Sequence, residues 1–206
     1  MAPRTLFWGA ILTGGKMKYM ILIITIFLVV SSPFVNAKEN SYAPTETSNK
    51  VIALVVKASK ENNKILLKKY IEYGGNINVS DNKGYTPLIY AAYFGHEGMV
   101  DFLLKNGANA CMKDNRGNTA LMGAIFKGNL KIAFRLLESE CDIDQNNKAN
   151  QTALMYATLF GRKQIAEHLI EKGAKIAAQD LNGNSAMSLA QDQFNQEMIT
   201  ILEEHR

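Results

Sequence analysis

The chain has 206 residues, 47% of them apolar and 20% charged, so it can bury a core and lacks the composition of a disordered protein. Its formal net charge is +4, but Arg4, Lys16 and Lys18 precede any acidic residue, and without them 20 basic residues stand against 19 acidic ones. This near-neutral remainder argues against a protein that binds the phosphate backbone of nucleic acids.

The N-terminal segment has the pattern of an export signal. Lys16 and Lys18 precede the apolar run 19–30, and the stretch that ends at Ala37 has the small-residue pattern of a signal-peptidase site. The run has about twelve residues, whereas a membrane-spanning helix needs about 20. We therefore predict a signal peptide that is cleaved after Ala37, and a periplasmic or secreted protein.

Two alternatives remain open at this end of the chain. An uncleaved segment 1–37 would be a single N-terminal membrane anchor, the only contact with a membrane that the sequence suggests. Met17 is an alternative start, because the sixteen residues before it contain an apolar stretch that is unusual in a signal peptide. Residues 38–50 are polar and without periodicity, and we predict a flexible linker there.

From residue 51 onward the sequence repeats with a period of 33 residues. In the second half of each unit, apolar residues recur at i, i+1, i+4 and i+5, which places them on one stripe of a helix. The first of these columns contains Leu66, Met99, Ile132, Ile165 and Met198. The pattern predicts five stacked units, at 48–80, 81–113, 114–146, 147–179 and 180–206.

A second helix is predicted at the start of each unit, before the one just described. It should begin after an N-cap residue and end at a glycine in the left-handed conformation. The N-cap residues are Thr86, Thr119, Thr152 and Ser185, and the glycines are Gly95, Gly128 and Gly161. The turns between units contain Gly84, Gly117 and Gly183 where positive φ is expected, with Asn150 in the remaining copy.

These positions together resemble the ankyrin-repeat family, in particular exported bacterial members of it. The matching residues in the second unit are Asp81, Gly84, Thr86, Pro87, Leu88, Ala91, Ala92, Gly95, His96, Val100, Leu103, Leu104, Gly107 and Ala108. The resemblance covers about residues 48–206. It implies an all-α repeat solenoid of helix-turn-helix pairs joined by β-hairpin-like loops, with the two end units acting as caps.

Two features depart from the family pattern. The histidine that the family places after Thr-Pro-Leu is Ile89, Met122 and Met155 here, so we expect apolar packing at that position. Glu140 replaces a glycine of the other units, and a left-handed Glu140 would cost roughly 1 kcal/mol, so that Glu140→Gly should raise the melting temperature.

The two cysteines fall in different columns of the repeat. An exported chain favours a disulfide, but stacked helices lie about 8 to 10 Å apart, and Cys111 and Cys141 are offset by three further residues. On this ground we expect a Cα separation beyond the roughly 7 Å limit of a disulfide, and free thiols.

No catalytic or metal-binding motif is evident in the sequence. His96, His168 and His205 lie at different phases of different units, and the chain has no P-loop, HExxH or nucleophile-elbow pattern. We therefore expect a non-catalytic protein without a cofactor or metal.

The resemblance implies instead a monomer that binds a protein partner through a concave face, made of hairpin tips and first helices. The candidate residues, left free by the scaffold, are Tyr85, Tyr93, Phe94, Arg116, Phe126, Lys127, Leu159 and Phe160. Either their rings pack beneath the next hairpin, or they form an exposed aromatic stripe, the composition that interface hot spots favour. The biological alternatives are a secreted effector that binds host proteins and a periplasmic factor in oxidative-stress defence beside catalases.

Overall fold

A computed structural model of the chain describes residues 46–205. The predicted signal peptide, its cleavage after Ala37, the start at Met17 and residues 38–45 of the linker lie outside the described residues. None of the helices between residues 46 and 205 is long and apolar enough to cross a membrane.

Ten helices, in five consecutive pairs, make up the regular structure of residues 46–205. They are α1 (Glu46–Lys60) and α2 (Lys64–Glu72), α3 (Pro87–Phe94) and α4 (Glu97–Lys105), α5 (Ala120–Lys127) and α6 (Leu130–Leu137), α7 (Ala153–Leu159) and α8 (Lys163–Glu171), and α9 (Ala186–Asp192) and α10 (Gln196–Glu204). The hairpin-like loops contain isolated antiparallel bridges, Lys113 with Thr119 and Asn146 with Thr152. The predicted all-α repeat fold is confirmed.

The first helices α3 and α5 begin and end at the residues that the sequence predicts, whereas α7 ends at Leu159 with Phe160 as its C-cap, one residue before the predicted Gly161. The Thr86 hydroxyl accepts a hydrogen bond from the Ile89 amide at 3.2 Å, and Pro87 takes the first helical position, where its missing N–H removes no helical bond. Gly95 then ends α3 with a φ of 77°, in the left-handed region. Thr119 and Gly128 repeat the arrangement around α5.

Helix α1 begins earlier than the sequence predicts. Residues 46–50, assigned above to a flexible linker, form its first turn, so that part of the linker prediction is wrong. Residues 46–50 contain no apolar side chain, but the Lys50 ammonium lies 2.6 Å from the Glu46 carboxylate. Such an i,i+4 ion pair supports a helix.

The core is the set of repeated apolar columns. Met99, Ile132, Ile165 and Met198 of the first column are at most 2% exposed, and Ile89, Met122 and Met155 at the family's histidine position are buried as expected. The first helices pack on one another more extensively than the second helices do. A fully buried alanine column, Ala91, Ala124, Ala157 and Ala190, allows this close approach, which places the first helices on the inner side of the stack.

Neighbouring hairpins are joined by a ladder of main-chain hydrogen bonds. The Asn115 amide donates to the Lys83 carbonyl at 2.9 Å, and the Lys148 amide donates to the Arg116 carbonyl at 2.8 Å. The Leu181 amide continues the ladder to Ala149 at 3.0 Å. Each bond joins residues 32 positions apart, so the ladder holds the third, fourth and fifth units each in the same register relative to the unit before it.

At two of the hairpin junctions the backbones approach so closely that a Cβ would clash. Gly84 has a φ of 79°, and a Cβ there would lie 2.6 Å from the Asn115 amide nitrogen. Gly117 is equivalent, with 2.8 Å to the Lys148 nitrogen. Asn150 takes the glycine position in the next hairpin with a φ of 63°, as predicted, and its side-chain amide donates to the Gln179 carbonyl.

Cys111 and Cys141 form a disulfide, with a Cα separation of 5.4 Å, so the expectation of free thiols is wrong. The distance between stacked helices does not set their separation, because each cysteine lies in the loop that follows a second helix. These loops lie beside one another in successive units. At the position equivalent to Cys111, Asn78 accepts from the Asn109 amide and Asp144 accepts from the Lys175 amide, each at 2.8 Å. The disulfide replaces this hydrogen bond between units.

Glu140 avoids the left-handed conformation that the sequence predicts for it. Gly74, Gly107 and Gly173 of the other units have positive φ, but Glu140 does not. Instead α6 ends at Leu137, one residue before the position at which the equivalent helices α4 and α8 end. The Cys141 amide then donates to the Ser139 carbonyl. The expected strain is therefore absent, and so is the reason for Glu140→Gly to raise the melting temperature.

Replacing both Cys111 and Cys141 by alanine should lower the free energy of unfolding by about 3 kcal/mol, because a 30-residue separation closes a loop of the unfolded chain. Urea denaturation of the oxidised wild type and the double variant measures this. An unchanged stability would contradict it, as would free thiol in the unfolded, unreduced wild-type protein.

The last unit contains a strained residue that sequence reasoning missed. Phe194 occupies the column of Gly95, Gly128 and Gly161, with a φ of 53°, and its side chain is 92% exposed. A non-glycine residue in this region costs about 1 kcal/mol, and an exposed ring recovers little of that by packing.

Phe194→Gly should therefore raise the free energy of unfolding by up to about 1 kcal/mol. Phe194→Ala is the matched control, because it removes the ring but keeps the strained backbone, and it should change stability by less than about 0.5 kcal/mol. Denaturation midpoints compare the two. A destabilised glycine variant would show that the ring contributes packing after all.

Candidate functional site

Four of the predicted rings are exposed on the first helices. Tyr93 is 36% exposed, Phe94 42%, Phe126 42% and Phe160 36%. They lie at the C-terminal ends of α3, α5 and α7. The alternative interpretation, in which the rings pack beneath the next hairpin, does not hold at these four positions.

The exposed rings contact one another across unit boundaries. Tyr93 stacks on Phe126 with the ring centroids 6.1 Å apart and the planes at 16°. Phe126 meets Phe160 edge to face at 4.9 Å and 86°, and Phe94 meets Tyr93 at 5.3 Å and 73°. Such pairs add about 0.5–1.5 kcal/mol beyond area burial. The rings of three units therefore form one continuous surface.

Three further tyrosines extend this surface at its two ends. The ring centroids of Tyr85 and Tyr90 lie 5.1 Å apart, those of Tyr90 and Phe94 6.2 Å, and those of Tyr156 and Phe160 5.8 Å. We refer to the whole set as the aromatic ribbon. In order of contact its members are Tyr85, Tyr90, Phe94, Tyr93, Phe126, Phe160 and Tyr156.

Tyr90 and Tyr156 were missed in the sequence, although a signal for them exists. Each stands four residues before a predicted ring, Phe94 or Phe160, a spacing that brings side chains together on a helix. The two also share a column of the repeat.

The hydroxyl of Tyr90 ties one end of the ribbon to a hairpin. It donates to Asp81 Oδ2 at 3.0 Å, while Asp81 Oδ1 accepts from the amides of Lys83 and Tyr85, each at 2.9 Å. Burial, and then the Asp81 carboxylate, raise the pKa of Tyr90 to about 12. The phenol therefore stays neutral at physiological pH and keeps its hydrogen bond.

Tyr156 is held in the same way at the other end. Its hydroxyl donates to Asn118 Oδ1 at 3.0 Å and accepts from Asn147 Nδ2 at 3.3 Å. Burial raises the pKa of Tyr156, against the opposing effect of the Asn147 hydrogen bond. Both ends of the ribbon are thus fixed by polar contacts, and its rings keep their places without a partner.

Two ammonium groups lie over ribbon rings. Lys60 Nζ is 5.5 Å from the centroid of Phe94, and Lys127 Nζ is 5.0 Å from that of Tyr93. At exposed sites such cation–π contacts contribute about 0.5–1 kcal/mol. They place positive charge directly on the aromatic surface.

The remaining predicted residues differ from the exposed rings. Leu159 is half-buried, so its side chain contributes less surface than expected. Its main-chain carbonyl accepts a hydrogen bond from the Gln193 side chain at 3.1 Å. Arg116 is exposed at a hairpin tip. In the last unit Asp192 and Gln193 stand at the ring positions, and the ribbon ends before them.

The histidines have structural partners. His96 Nε2 lies 2.9 Å from the Lys60 carbonyl, and His168 lies between the carboxylates of Glu138 and Glu171. Across residues 46–205, no group of three or more histidine, cysteine, aspartate or glutamate side chains could hold a metal ion. An open groove of about 600 Å³ beside the disulfide is lined by charged side chains, including the Arg135–Asp101 ion pair at 3.1 Å.

Stacked helix pairs that present an ordered aromatic surface define a class of protein, the repeat scaffolds that bind other molecules through a face of the stack. A comparison with known families matches residues 54–147 and 133–206 to ankyrin repeats (3 copies), so the chain belongs to the ankyrin-repeat family. Members of this family are generally protein–protein interaction modules and are typically non-catalytic. Among curated proteins the comparison found no match.

Proposed function

We propose that this protein is an exported, non-catalytic binding module that captures a protein partner on its aromatic ribbon. The observation that carries the proposal is the continuity of the ribbon, whose seven rings cross three repeat units without a gap. Aromatic residues are the side chains most enriched among interface hot spots. A repeat scaffold keeps such rings in place while the rest of the fold stays unchanged.

The exposed area of the ribbon is large enough to contribute substantially to the free energy of binding. Tyr93, Phe94, Phe126 and Phe160 are each about 40% exposed, which leaves roughly 300 Å² of aromatic surface in contact with water. Patches of about this size on a monomer are often functional. Covering about 300 Å² at about 25 cal/mol per Å² would contribute on the order of 7 kcal/mol before the costs of association.

Export of the chain is supported by its disulfide. Disulfides persist in oxidising compartments and are rare in the cytosol, and the Cys111–Cys141 bridge holds two units of the stack together. A periplasmic or secreted location agrees with this and with the signal-like segment 1–37. The biological alternatives are a secreted effector that binds a host protein and a periplasmic factor in oxidative-stress defence.

The triple variant Tyr93→Ala, Phe126→Ala and Phe160→Ala tests the proposal. The tagged full chain is expressed in its own cells, cross-linked and recovered, and partner yield is compared with that of the wild type. We expect the partner yield of the variant to be at least about tenfold lower than that of the wild type, because three adjacent rings are removed.

The matched control is Ile65→Ala with Phe194→Ala, which removes two exposed apolar side chains outside the ribbon. The control should capture partner at the wild-type level. Equal capture by the ring variant would contradict the proposal. Circular dichroism is measured for both variants. Loss of the helical signal in the ring variant would show that the rings belong to the core instead.

A further inference from the structure

Five exposed cations of the first helices and hairpin tips have no ion-pair partner among residues 46–205. They are Lys60, Lys83, Arg116, Lys127 and Lys148. Within residues 46–205, no carboxylate oxygen lies within 4.0 Å of any of their nitrogen atoms. Lys60 and Lys127 lie on ribbon rings, and the other three occupy hairpin tips.

Several cations of the second helices pair across unit boundaries. Lys131 pairs with Glu97 at 3.8 Å, Arg135 with Asp101 at 3.1 Å, and Lys172 with Glu138 at 3.3 Å. Other lysines of the second helices, such as Lys69 and Lys105, have no carboxylate partner among residues 46–205. Lys60 and Lys127 differ from those two lysines because they lie over ribbon rings.

Two acidic residues of the hairpins are turned to hairpin amides. Asp114 Oδ1 accepts from the amides of Arg116 and Asn118, each at 2.8 Å, and the Asp114 side chain is buried. Asp180 makes the equivalent bonds, and these amides lower its pKa. Amide hydrogen bonds leave a carboxylate its charge, but Asp114 and Asp180 are buried, whereas the hairpin cations Lys83, Arg116 and Lys148 are exposed to a partner.

The aromatic ribbon offers few free ring faces on which bases could stack. In each of the edge-to-face pairs Phe94–Tyr93 and Phe126–Phe160, one ring covers part of a face of the other. Stacking of bases needs free ring faces, and Lys127 and Phe126 already lie against Tyr93. Residues 46–205 also carry 18 basic and 18 acidic residues, without the excess typical of a phosphate-backbone binder.

We infer that the partner binds through an extended acidic segment, in which Asp or Glu side chains reach Lys60 and Lys127 on the ribbon and apolar side chains cover its rings. This inference rests on the proposed function. From Tyr93 to Phe160 the ribbon crosses two unit boundaries of about 10 Å each. An extended segment of about six residues, at about 3.3 Å per residue, spans that length.

A random octapeptide library displayed on phage, selected on the full chain, tests the inference. We expect the enriched peptides to contain Asp and Glu above their library frequency, next to apolar residues. The most enriched peptide is then synthesised with a fluorescent label, and its affinity is measured by anisotropy. Its binding should weaken as NaCl is raised, because the contacts are between exposed charges.

The charge variant is Lys60→Glu with Lys127→Glu, and the matched control is Lys69→Glu with Lys105→Glu. All four lysines lie in the last turn of a helix, and each pair changes the net charge equally. The charge variant should weaken binding by about tenfold, from the loss of two exposed charge pairs. The control should change it by less than about twofold.

Four outcomes would overturn the acidic-segment inference: no enriched peptide, enrichment without Asp or Glu, equal effects of the two double variants, or tighter binding of a labelled eight-residue oligodeoxythymidine than of the acidic peptide. The triple ring variant separates this failure from that of the proposed function. Non-acidic peptides that need the rings would leave the ribbon as a binding site, whereas peptides that bind without the rings would contradict the site itself.

Discussion

The hydrogen-bond ladder between hairpins is the constraint on which the rest of the structure depends. Its bonds join residues 32 positions apart, so the second to fifth units are placed on one another in one register. The close approach requires a residue without a Cβ in the left-handed region at Gly84 and Gly117. Once this register is set, each apolar residue of a second helix packs against the equivalent residue of the next unit. The alanine column of the first helices packs in the same way.

The same register turns repeated surface positions into a continuous surface. Tyr93 and Phe126 are equivalent residues of successive units, and stacking them at 6.1 Å is a direct result of the unit spacing. Each cation on the ribbon comes from a helix end of another unit, Lys60 over Phe94 and Lys127 over Tyr93. Because hydrogen bonds to Asp81 and Asn118 fix the tyrosines at its ends, the ribbon is ordered before any partner arrives, which lowers the entropy lost on binding.

Sequence reasoning predicted the parts of the fold that every unit repeats and missed those that a single unit changes. The caps at Thr86 and Gly95 and the buried columns follow from local geometry that recurs at each copy. Glu140 was misjudged because the backbone altered its turn instead of accepting strain, and Cys111 because a turn, not a helix spacing, sets its distance to Cys141. The four exposed rings were predicted, whereas Tyr90 and Tyr156 were not, since column analysis alone ignores the i,i+4 neighbours within one helix.

Amide hydrogen exchange at the ladder tests this account most directly. The amides of Asn115 and Lys148 lie in exposed hairpin tips, where an ordinary loop would exchange quickly. If the ladder holds the register of the stack, NMR-detected exchange should give these two amides protection close to that of helix amides in α5. Rapid exchange at both positions, while the helices stay protected, would contradict the ladder as the origin of the register.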